Sequence, residues 1–212
     1  MAPFTIGAGI GADHTTPTEA ILIQSPGLKV VVPSTPYDAK GLLKSAIRDD
    51  SPVVFMPHSA LYSSVQEAIP AEEYLVPLGK ADVKRKGKDI TIVAYSAMVI
   101  KALAAADVLN KEGISVEVVD LRTLVPLDVE TIIKSVSKTG RLLIAHEAMK
   151  RGGAAGEIAF RIIEAAPDIV KTMKSPIKRL AAKNMALPHG IELEAKLVPQ
   201  AEDVVKTVRE MM

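Results

Sequence analysis

Residues 90–120 read ITIVAYSAMVIKALAAADVLNKEGISVEVVD, and this stretch establishes the fold class of the chain. Ile90 to Ala94 is a short run rich in β-branched and apolar residues, which predicts a buried strand. Met98 to Glu112 repeats apolar residues at helical spacing and ends before Gly113, a residue typical of the position after a helix. Val116 to Asp120 predicts a second strand. A strand, a helix and a strand in this order indicate a parallel β-α-β unit.

The same alternation continues towards the C-terminus. Apolar spacing predicts helices over residues 128–138, 154–165 and 201–212, and strands over residues 141–145 and 177–181. Connections of this length join parallel strands by right-handed crossovers. We therefore predict an independently folding α/β sandwich of about 125 residues, a size within the usual range of a domain.

One further β-α-β unit precedes this sandwich. Residues 28–32 and 53–56 predict strands. The apolar spacing from Ala39 to Ile47 predicts a helix between them, capped by Ser34 or Thr35 with Pro36 near its first turn, that stops at Asp49. Downstream of the second strand the pattern weakens into Pro, Glu, Lys and Gly. We therefore place a domain boundary near residue 80.

The first part of the chain is expected to be marginal by itself. A sheet with a single β-α-β unit has two open edges and buries little apolar surface. Upstream of it the sequence offers only a predicted helix over residues 16–24 and a glycine-rich run with no strand before it. We expect a missing N-terminal segment or an obligate partner chain to cover this part.

The composition excludes several classes of protein. The formal net charge of the 212-residue chain is +1, which gives no long-range field for nucleic acid or anionic lipid. The chain has no cysteine, so it forms no disulfide and uses no thiolate nucleophile or ligand. Neither a long apolar run nor a signal peptide is recognisable. These features predict a cytoplasmic protein that binds neither membrane nor nucleic acid.

The N-terminal segment contains the first candidate functional residues. Gly7, Gly9 and Gly11 suggest a phosphate-binding loop, but their spacing matches neither the dinucleotide fingerprint nor a Walker loop, so a surface loop is favoured. His14 follows in polar surroundings, where an imidazole can transfer protons near neutral pH. Glu19 has the spacing of a capping-box partner for the residue three positions before it, Thr16.

Other polar residues have both structural and functional interpretations. His146 and Glu147 lie at the C-terminal edge of the predicted sheet, where α/β folds bind ligands, but a loop-stabilising or interface pair is favoured. Asp49 and Asp50 either bind a hard cation or only add charge to a loop. The remaining two histidines are expected to be solvated in loops, namely His58 and His189.

Two long segments resemble a known family. They are PGLKVVVPSTPYDAKGLLKSAIRD at residues 26–49 and VEVVDLRTLVPLD at residues 116–128, followed in the same order by KTGRLL at 138–143 and HEA at 146–148. The chain is similar along its length to beta subunits of the E1 component of pyruvate, branched-chain 2-oxo acid and acetoin dehydrogenases. The resemblance implies an N-terminally truncated chain. Residues 1–80 would form the C-terminal part of a pyrimidine-binding domain, and residues 81–212 a complete three-layer α/β/α domain of the transketolase C-terminal type.

The resemblance also implies an α2β2 heterotetramer in which thiamine diphosphate binds between alpha and beta chains. The alpha subunit supplies the diphosphate and magnesium site, and the glutamate that contacts the aminopyrimidine lies upstream of residue 1. The expected partners are therefore the E1 alpha subunit, a second beta chain and the lipoyl acyltransferase. The expected reaction is oxidative decarboxylation of a 2-oxo acid with acyl transfer to lipoamide, with the chain inactive alone. The alternative is a non-catalytic assembly module that binds the alpha subunit or the acyltransferase.

Two sets of site residues follow from the resemblance. The family's His-Ser-Gln segment aligns with His14, which would be the catalytic residue, although threonines follow it here. The family's potassium site aligns with Ala46, Ile47, Asp49 and Ser51. Because serine stands where asparagine is common and one upstream ligand is missing, weak occupancy by potassium is expected.

Overall fold

The computed structural model describes residue 1 and residues 3–212. Within these residues the strands are β1 (Lys29–Val31), β2 (Val53–Phe55), β3 (Asp82–Arg85), β4 (Ile90–Ala94), β5 (Val116–Asp120), β6 (Thr123–Val125), β7 (Leu142–Met149) and β8 (Lys178–Ala182). The helices are α1 (Ala12–Thr15), α2 (Glu19–Leu22), α3 (Pro36–Ile47), α4 (Leu61–Ser64), α5 (Ala97–Lys111), α6 (Val129–Thr139), α7 (Ala154–Ala165), α8 (Ile169–Thr172), α9 (Ile191–Ala195) and α10 (Ala201–Met211). None of these helices has the length and apolar character needed to cross a membrane.

The larger sheet has five strands in the order β3-β5-β4-β7-β8. β4 pairs in parallel with both β5 and β7, and β7 pairs in parallel with β8, which confirms the predicted mainly parallel sheet. β3 is antiparallel to β5 and was not predicted. β3 follows directly after the predicted boundary near residue 80, and its Arg85 pairs with Asp107, so the charge is compatible with an edge strand.

Side chains alternate between the two faces of each strand, so the core has two layers, one on each face of the larger sheet. Ile90, Ile92 and Ala94 point to one face, where they pack with α5 and α10. Val93 and Tyr95 point to the opposite face, which α6 and α7 cover. The α/β fold class is therefore confirmed, with helices on both faces of the sheet.

Local capping signals explain where two of the predicted helices begin and end. The Thr35 side chain accepts a hydrogen bond from the Asp38 backbone N–H, and Pro36 occupies the first turn of α3. Asp128 likewise accepts from the Thr131 N–H at 3.1 Å, and α6 ends at Gly140 with a φ of 71°.

The predicted helix over residues 16–24 is wrong. Two short helices, α1 and α2, flank the Thr16–Pro17 dipeptide instead. A proline disfavours helical backbone at the residue before it, and Thr16 accordingly has an extended ψ of 119°.

The smaller sheet combines strands from both parts of the chain, in the order β2-β1-β6. β1 and β2 are parallel, as predicted. On the other side β1 pairs antiparallel with β6, so that Val30 lies opposite Val125. One edge of the N-terminal β-α-β unit is therefore closed by a strand from the downstream half.

A buried ionic cluster joins the same two parts. The Asp38 side chain is 0% exposed, and its carboxylate lies 2.6 Å from Lys84 Nζ and 2.6 Å from Arg122 Nη2. Both cations also contact Asp82, at 2.9 and 3.0 Å. We call these four residues the junction cluster. Since Asp38 belongs to α3 and its cations belong to the downstream half, the ion pairs connect the two halves.

We predict that Arg122→Met destabilises the whole chain. Removing one partner of a buried ion pair leaves a carboxylate less well compensated, which costs about 3 kcal/mol. Urea unfolding followed by circular dichroism measures this loss. The control is Arg209→Met, which removes an exposed pair with Glu112 and should change stability far less. Equal effects of the two substitutions would contradict a special role for the junction cluster.

Candidate functional site

A cluster of polar side chains lies at the carboxyl ends of β4 and β7. Tyr95 directly follows β4, and His146 and Glu147 lie in the second half of β7. From the N-terminal part, Glu19 and His58 reach the same cluster. The carboxyl edge of a parallel sheet is where α/β proteins place their binding groups, so this cluster is the candidate site.

Glu19 and Tyr95 form its first pair. The Tyr95 hydroxyl donates to Glu19 Oε1 at 2.7 Å, and Glu19 is completely buried. Burial raises the pKa of Glu19 to about 7, against the opposing effect of the Tyr95 hydrogen bond. Burial also raises the pKa of Tyr95 well above its ordinary value. The predicted capping-box role of Glu19 is wrong, because its carboxyl group bonds to Tyr95 across the chain.

His146 stacks beside Tyr95, with ring centroids 6.0 Å apart and planes inclined by 13°. Burial lowers the pKa of His146 to about 4, so the imidazole is neutral near pH 7. A Cβ atom at Gly153 would lie 2.6 Å from His146 Cε1. The glycine before α7 is therefore required for this ring to fit.

Glu147 points to the other face of β7, and its carboxylate contacts the His58 imidazole and the Lys101 ammonium. Its Oε2 lies 2.9 Å from His58 Nε2, and its Oε1 accepts from Lys101 Nζ at 2.9 Å. Burial acts to raise the pKa of Glu147, but the His58 hydrogen bond and the Lys101 charge together lower it. Glu147 is therefore an ionised carboxylate. The structure agrees with the favoured interpretation of a stabilising pair for Glu147.

The prediction that His58 is solvated is wrong. Its side chain is buried, and the Phe4 ring stacks on it at 6.0 Å. The Ala60 backbone N–H donates to Nδ1 at 3.2 Å, so Nε2 carries the proton that faces Glu147. The sequence around His58 contains no periodic pattern that marks it as buried, and its contacts with Phe4 and Glu147 come from distant parts of the chain.

His14 lies on α1, in the loop that precedes Glu19. Its side chain is 67% exposed and its Nε2 is 3.6 Å from Asp13 Oδ2. The Thr5 hydroxyl donates to the His14 carbonyl. His189 is exposed, as predicted, and packs against Gly11. His14 therefore presents an accessible imidazole at the surface, and its catalytic role stays a prediction.

The structure gives a reason against the phosphate-binding interpretation of the glycine run, which the sequence had already disfavoured. The backbone N–H groups of Gly7 and Gly9 both donate to the carboxylate of Glu194, each at 2.7 Å. The amides that an oxyanion would need are engaged by a side chain of the same molecule. The loop is nevertheless built around an anion, which sequence spacing did not reveal.

The predicted potassium ligands gather at the end of α3. Asp49 Oδ2 accepts from Lys29 Nζ at 2.5 Å, and Oδ1 accepts from the Ser51 N–H at 2.9 Å. The Ala46 carbonyl accepts from the Asp49 N–H at 3.4 Å, and the Ile47 side chain is 74% exposed. The Lys29 hydrogen bond lowers the pKa of Asp49. A potassium ion would compete with this ammonium, so the residues fit the ion poorly.

The described residues contain no group of three or more His, Asp and Glu side chains arranged to hold a metal. Each buried carboxylate has a partner in the chain. These pairs are Glu19 with Tyr95, Asp38 with Lys84, Glu117 with Lys138, Asp120 with Ser34, Asp128 with Thr131, Glu147 with His58 and Glu194 with Gly7. Glu19 nevertheless keeps one buried oxygen, Oε2, without a hydrogen-bond partner among the described residues.

The two parts of the chain match two different protein families. Residues 79–204 match the family described as transketolase, C-terminal domain, and residues 1–64 match the transketolase, pyrimidine binding domain family. The pyruvate dehydrogenase E1 component subunit beta of Bacillus subtilis is 47% identical over 100% of this chain. The subunit of the same description from Staphylococcus aureus is 44% identical, also over 100% of the chain.

The chain spans 64% of the Bacillus subtilis relative and 66% of the Staphylococcus aureus relative. A solved structure described as a split gene transketolase, inactive beta4 tetramer, aligns with a TM-score of 0.79 and 28% identity. That alignment covers 99% of this chain and 64% of the other. The similarity therefore extends across both sheets.

We predict that Glu19→Gln changes how stability depends on pH. The folded pKa of about 7 exceeds the ordinary value of 4.5, so the folded state retains a proton that the unfolded state has lost. The stability of the original chain relative to Glu19→Gln should fall as pH rises from about 4.5 to 7, by about 3 kcal/mol. Urea titrations across this range measure the difference, with exposed Glu157→Gln as control. A difference independent of pH would show that Glu19 is ionised in the folded chain.

Proposed function

We propose, on the premise that this chain belongs to the transketolase family, that it is a beta-subunit portion of a thiamine-diphosphate-dependent 2-oxo acid dehydrogenase. The observation that carries the proposal is the 47% identity with a pyruvate dehydrogenase E1 beta subunit along the whole chain. The reaction would be oxidative decarboxylation of a 2-oxo acid with transfer of the acyl group to lipoamide. The proposed division is 1–80 and 81–212, with β6 crossing back to the first part.

The proposal assigns the cofactor mainly to residues outside this chain. Thiamine diphosphate, when bound, supplies the carbanion chemistry, and the protein must orient and activate it. The described residues contain no group of three or more His, Asp and Glu side chains that could hold the magnesium of the diphosphate. An alpha subunit, and further beta-chain sequence, would provide those contacts. This is why the chain should be inactive alone.

His14 is the residue that this chain would contribute to proton transfer. An imidazole can accept and donate a proton near neutral pH, and the proposed decarboxylation and acyl transfer both require proton transfer. Its side chain is 67% exposed, so the imidazole is accessible to a group bound at the surface of the chain. The nearby buried histidines do not compete for this role, because His58 is engaged by Glu147 and His146 is enclosed by its neighbours.

The second candidate is a non-catalytic assembly module. The matched split gene transketolase structure is described as an inactive beta4 tetramer, so association without activity occurs in this fold. This chain has an apolar groove with a volume of about 240 Å³ beside the ends of β1 and β2. The groove includes Leu61, Val65 and Tyr62, and Tyr62 is 68% exposed. In this alternative the surface binds another chain, whether an alpha subunit, a second copy or an acyltransferase.

We predict that the purified chain does not decarboxylate pyruvate or branched-chain 2-oxo acids with added thiamine diphosphate and magnesium. Addition of an E1 alpha chain together with a full-length beta subunit bearing this sequence should give activity. In that complex His14→Ala should lower kcat by about 100-fold, the usual size of a general acid–base contribution. Steady-state kinetics and solution mass provide the measurements.

The control for that experiment is Asp168→Asn, an exposed carboxylate that pairs with Lys171 and not with His14. Equal losses in both variants would count against proton transfer by His14. Turnover by the chain alone would contradict the assignment of the cofactor to other residues. A stable complex that never turns over would favour the assembly module.

We predict that Lys29→Met strengthens potassium binding at the end of α3. The substitution removes the ammonium that occupies Asp49 and leaves its carboxylate available to a hard cation. Thermal unfolding should then shift upward when potassium chloride replaces choline chloride at equal ionic strength, and more so than in the original chain. Lys111→Met, at the exposed end of α5, is the control. An identical response in all three proteins would exclude this potassium site.

A further inference from the structure

The glycine run at residues 7–11 has the backbone geometry of an anion-binding nest. Gly7, Gly9 and Gly11 have φ angles of 92°, 66° and 87°, a region that side-chain-bearing residues rarely adopt. Alternation of such residues turns successive N–H groups towards a shared centre. The Glu194 carboxylate lies at that centre, with Oε1 bound by the Gly7 N–H and Oε2 by the Gly9 N–H.

Glu194 is well enclosed for a carboxylate. It is 1% exposed and belongs to α9, far downstream in the chain. Its two hydrogen bonds of 2.7 Å are short, as expected when an ionised acceptor meets backbone donors. Each oxygen has its own amide, so a carboxylate satisfies the nest in a way that a neutral amide side chain does not.

The loop also packs directly on the segment that carries Glu194. The Gly190 N–H donates to the Gly9 carbonyl at 2.8 Å, and Ile10 bridges to His189. A Cβ atom at Gly9 would lie 2.5 Å from the Ile191 nitrogen, and one at Gly11 would lie 2.4 Å from His189 Nε2. Close approach of the two backbones therefore depends on the glycines.

His14 is connected to this nest by a short path. Gly11 is the N-cap of α1, and its carbonyl accepts from the His14 N–H at 3.2 Å. On the other side, the Thr5 hydroxyl donates to the His14 carbonyl. Any shift of the nest therefore moves the helix turn that presents the imidazole.

We propose that residues 7–11 form a carboxylate-binding nest and that Glu194, its internal occupant, is a positioning residue for His14. The part concerning His14 rests on the proposed function, whereas the nest does not. Glu194 touches neither cofactor nor substrate in this assignment. It acts by fixing the loop on the C-terminal half of the chain.

Hydrogen exchange on the purified chain tests the nest without any assay of activity. Glu194→Ala should increase the exchange of the Gly7 and Gly9 amides by about tenfold or more, because two charge-assisted hydrogen bonds are lost. Exchange of β4, β5 and β7 should not change. Glu192→Gln, on the same helix and exposed, is the matched control and should leave the glycine amides protected.

Acetate provides a chemical rescue, since it replaces the atoms that Glu194→Ala removes. Excess sodium acetate should restore protection at Gly7 and Gly9, and sodium chloride at equal ionic strength should not. Protection retained in Glu194→Ala, or acetate no better than chloride, would overturn the nest. General loss of protection in the strands would show that Glu194 only supports folding, and would overturn the positioning role.

An activity measurement on the full complex with an alpha subunit tests the link to His14. Glu194→Ala should lower kcat with little change in KM, and acetate should restore part of kcat, whereas His14→Ala should not respond to acetate. A kcat unaffected by Glu194→Ala would overturn the positioning role. If no complex shows activity at all, the proposed function fails, and a positive exchange result still establishes the nest.

Discussion

Asp38 is the buried charge on which the arrangement of the two halves depends. A carboxylate removed from water is costly unless cations compensate it, and here both cations come from the downstream half of the chain. The helix α3 therefore keeps a stable buried position only while Lys84 and Arg122 remain beside it. The backbone of Arg122, with a φ of 58°, turns directly into β6, which pairs with β1. The segment that begins at Arg122 therefore gives the N-terminal unit both an ion-pair partner for Asp38 and the strand β6, which pairs with β1.

The candidate site exists because this junction holds. Glu19 and His58 come from the first part of the chain, and Tyr95 and Glu147 come from the larger sheet. Their pairing requires the two halves to be close together. The nest around Glu194 adds a third connection between the halves, and it is the one nearest to His14. The loop that carries the exposed imidazole is therefore attached to the downstream half at several points.

The helices and strands with regular apolar spacing were predictable from sequence, because that spacing depends only on residues close together in the chain. β4 and β5 were predicted at their observed bounds, and α5 within one residue, because their apolar residues follow one period without interruption. β3 and β6 were missed because they lie outside the alternating strand and helix pattern, and both pair antiparallel with strands distant in sequence. Proline at position 17 was overlooked as a helix breaker.

The candidate site was only partly predictable, because burial of polar residues is a tertiary property. The edge location of His146 and Glu147 followed from strand order, and the loop position of His14 followed from its polar neighbours. The environments of Glu19, His58 and Glu194 did not follow, since their partners are 76, 89 and 187 positions away or lie in other elements. The spacing of the glycine run favoured a surface loop over a nucleotide-binding loop, and only the folded chain shows which carboxylate the loop binds.

Native-state hydrogen exchange on the isolated chain tests the central claim that the first β-α-β unit is held by the downstream half. The account predicts that amides of β1 and β2 open with the same free energy as those of β6, and that Arg122→Met lowers all three together. Amides of β1 and β2 that exchange freely while β6 and the larger sheet stay protected would contradict it.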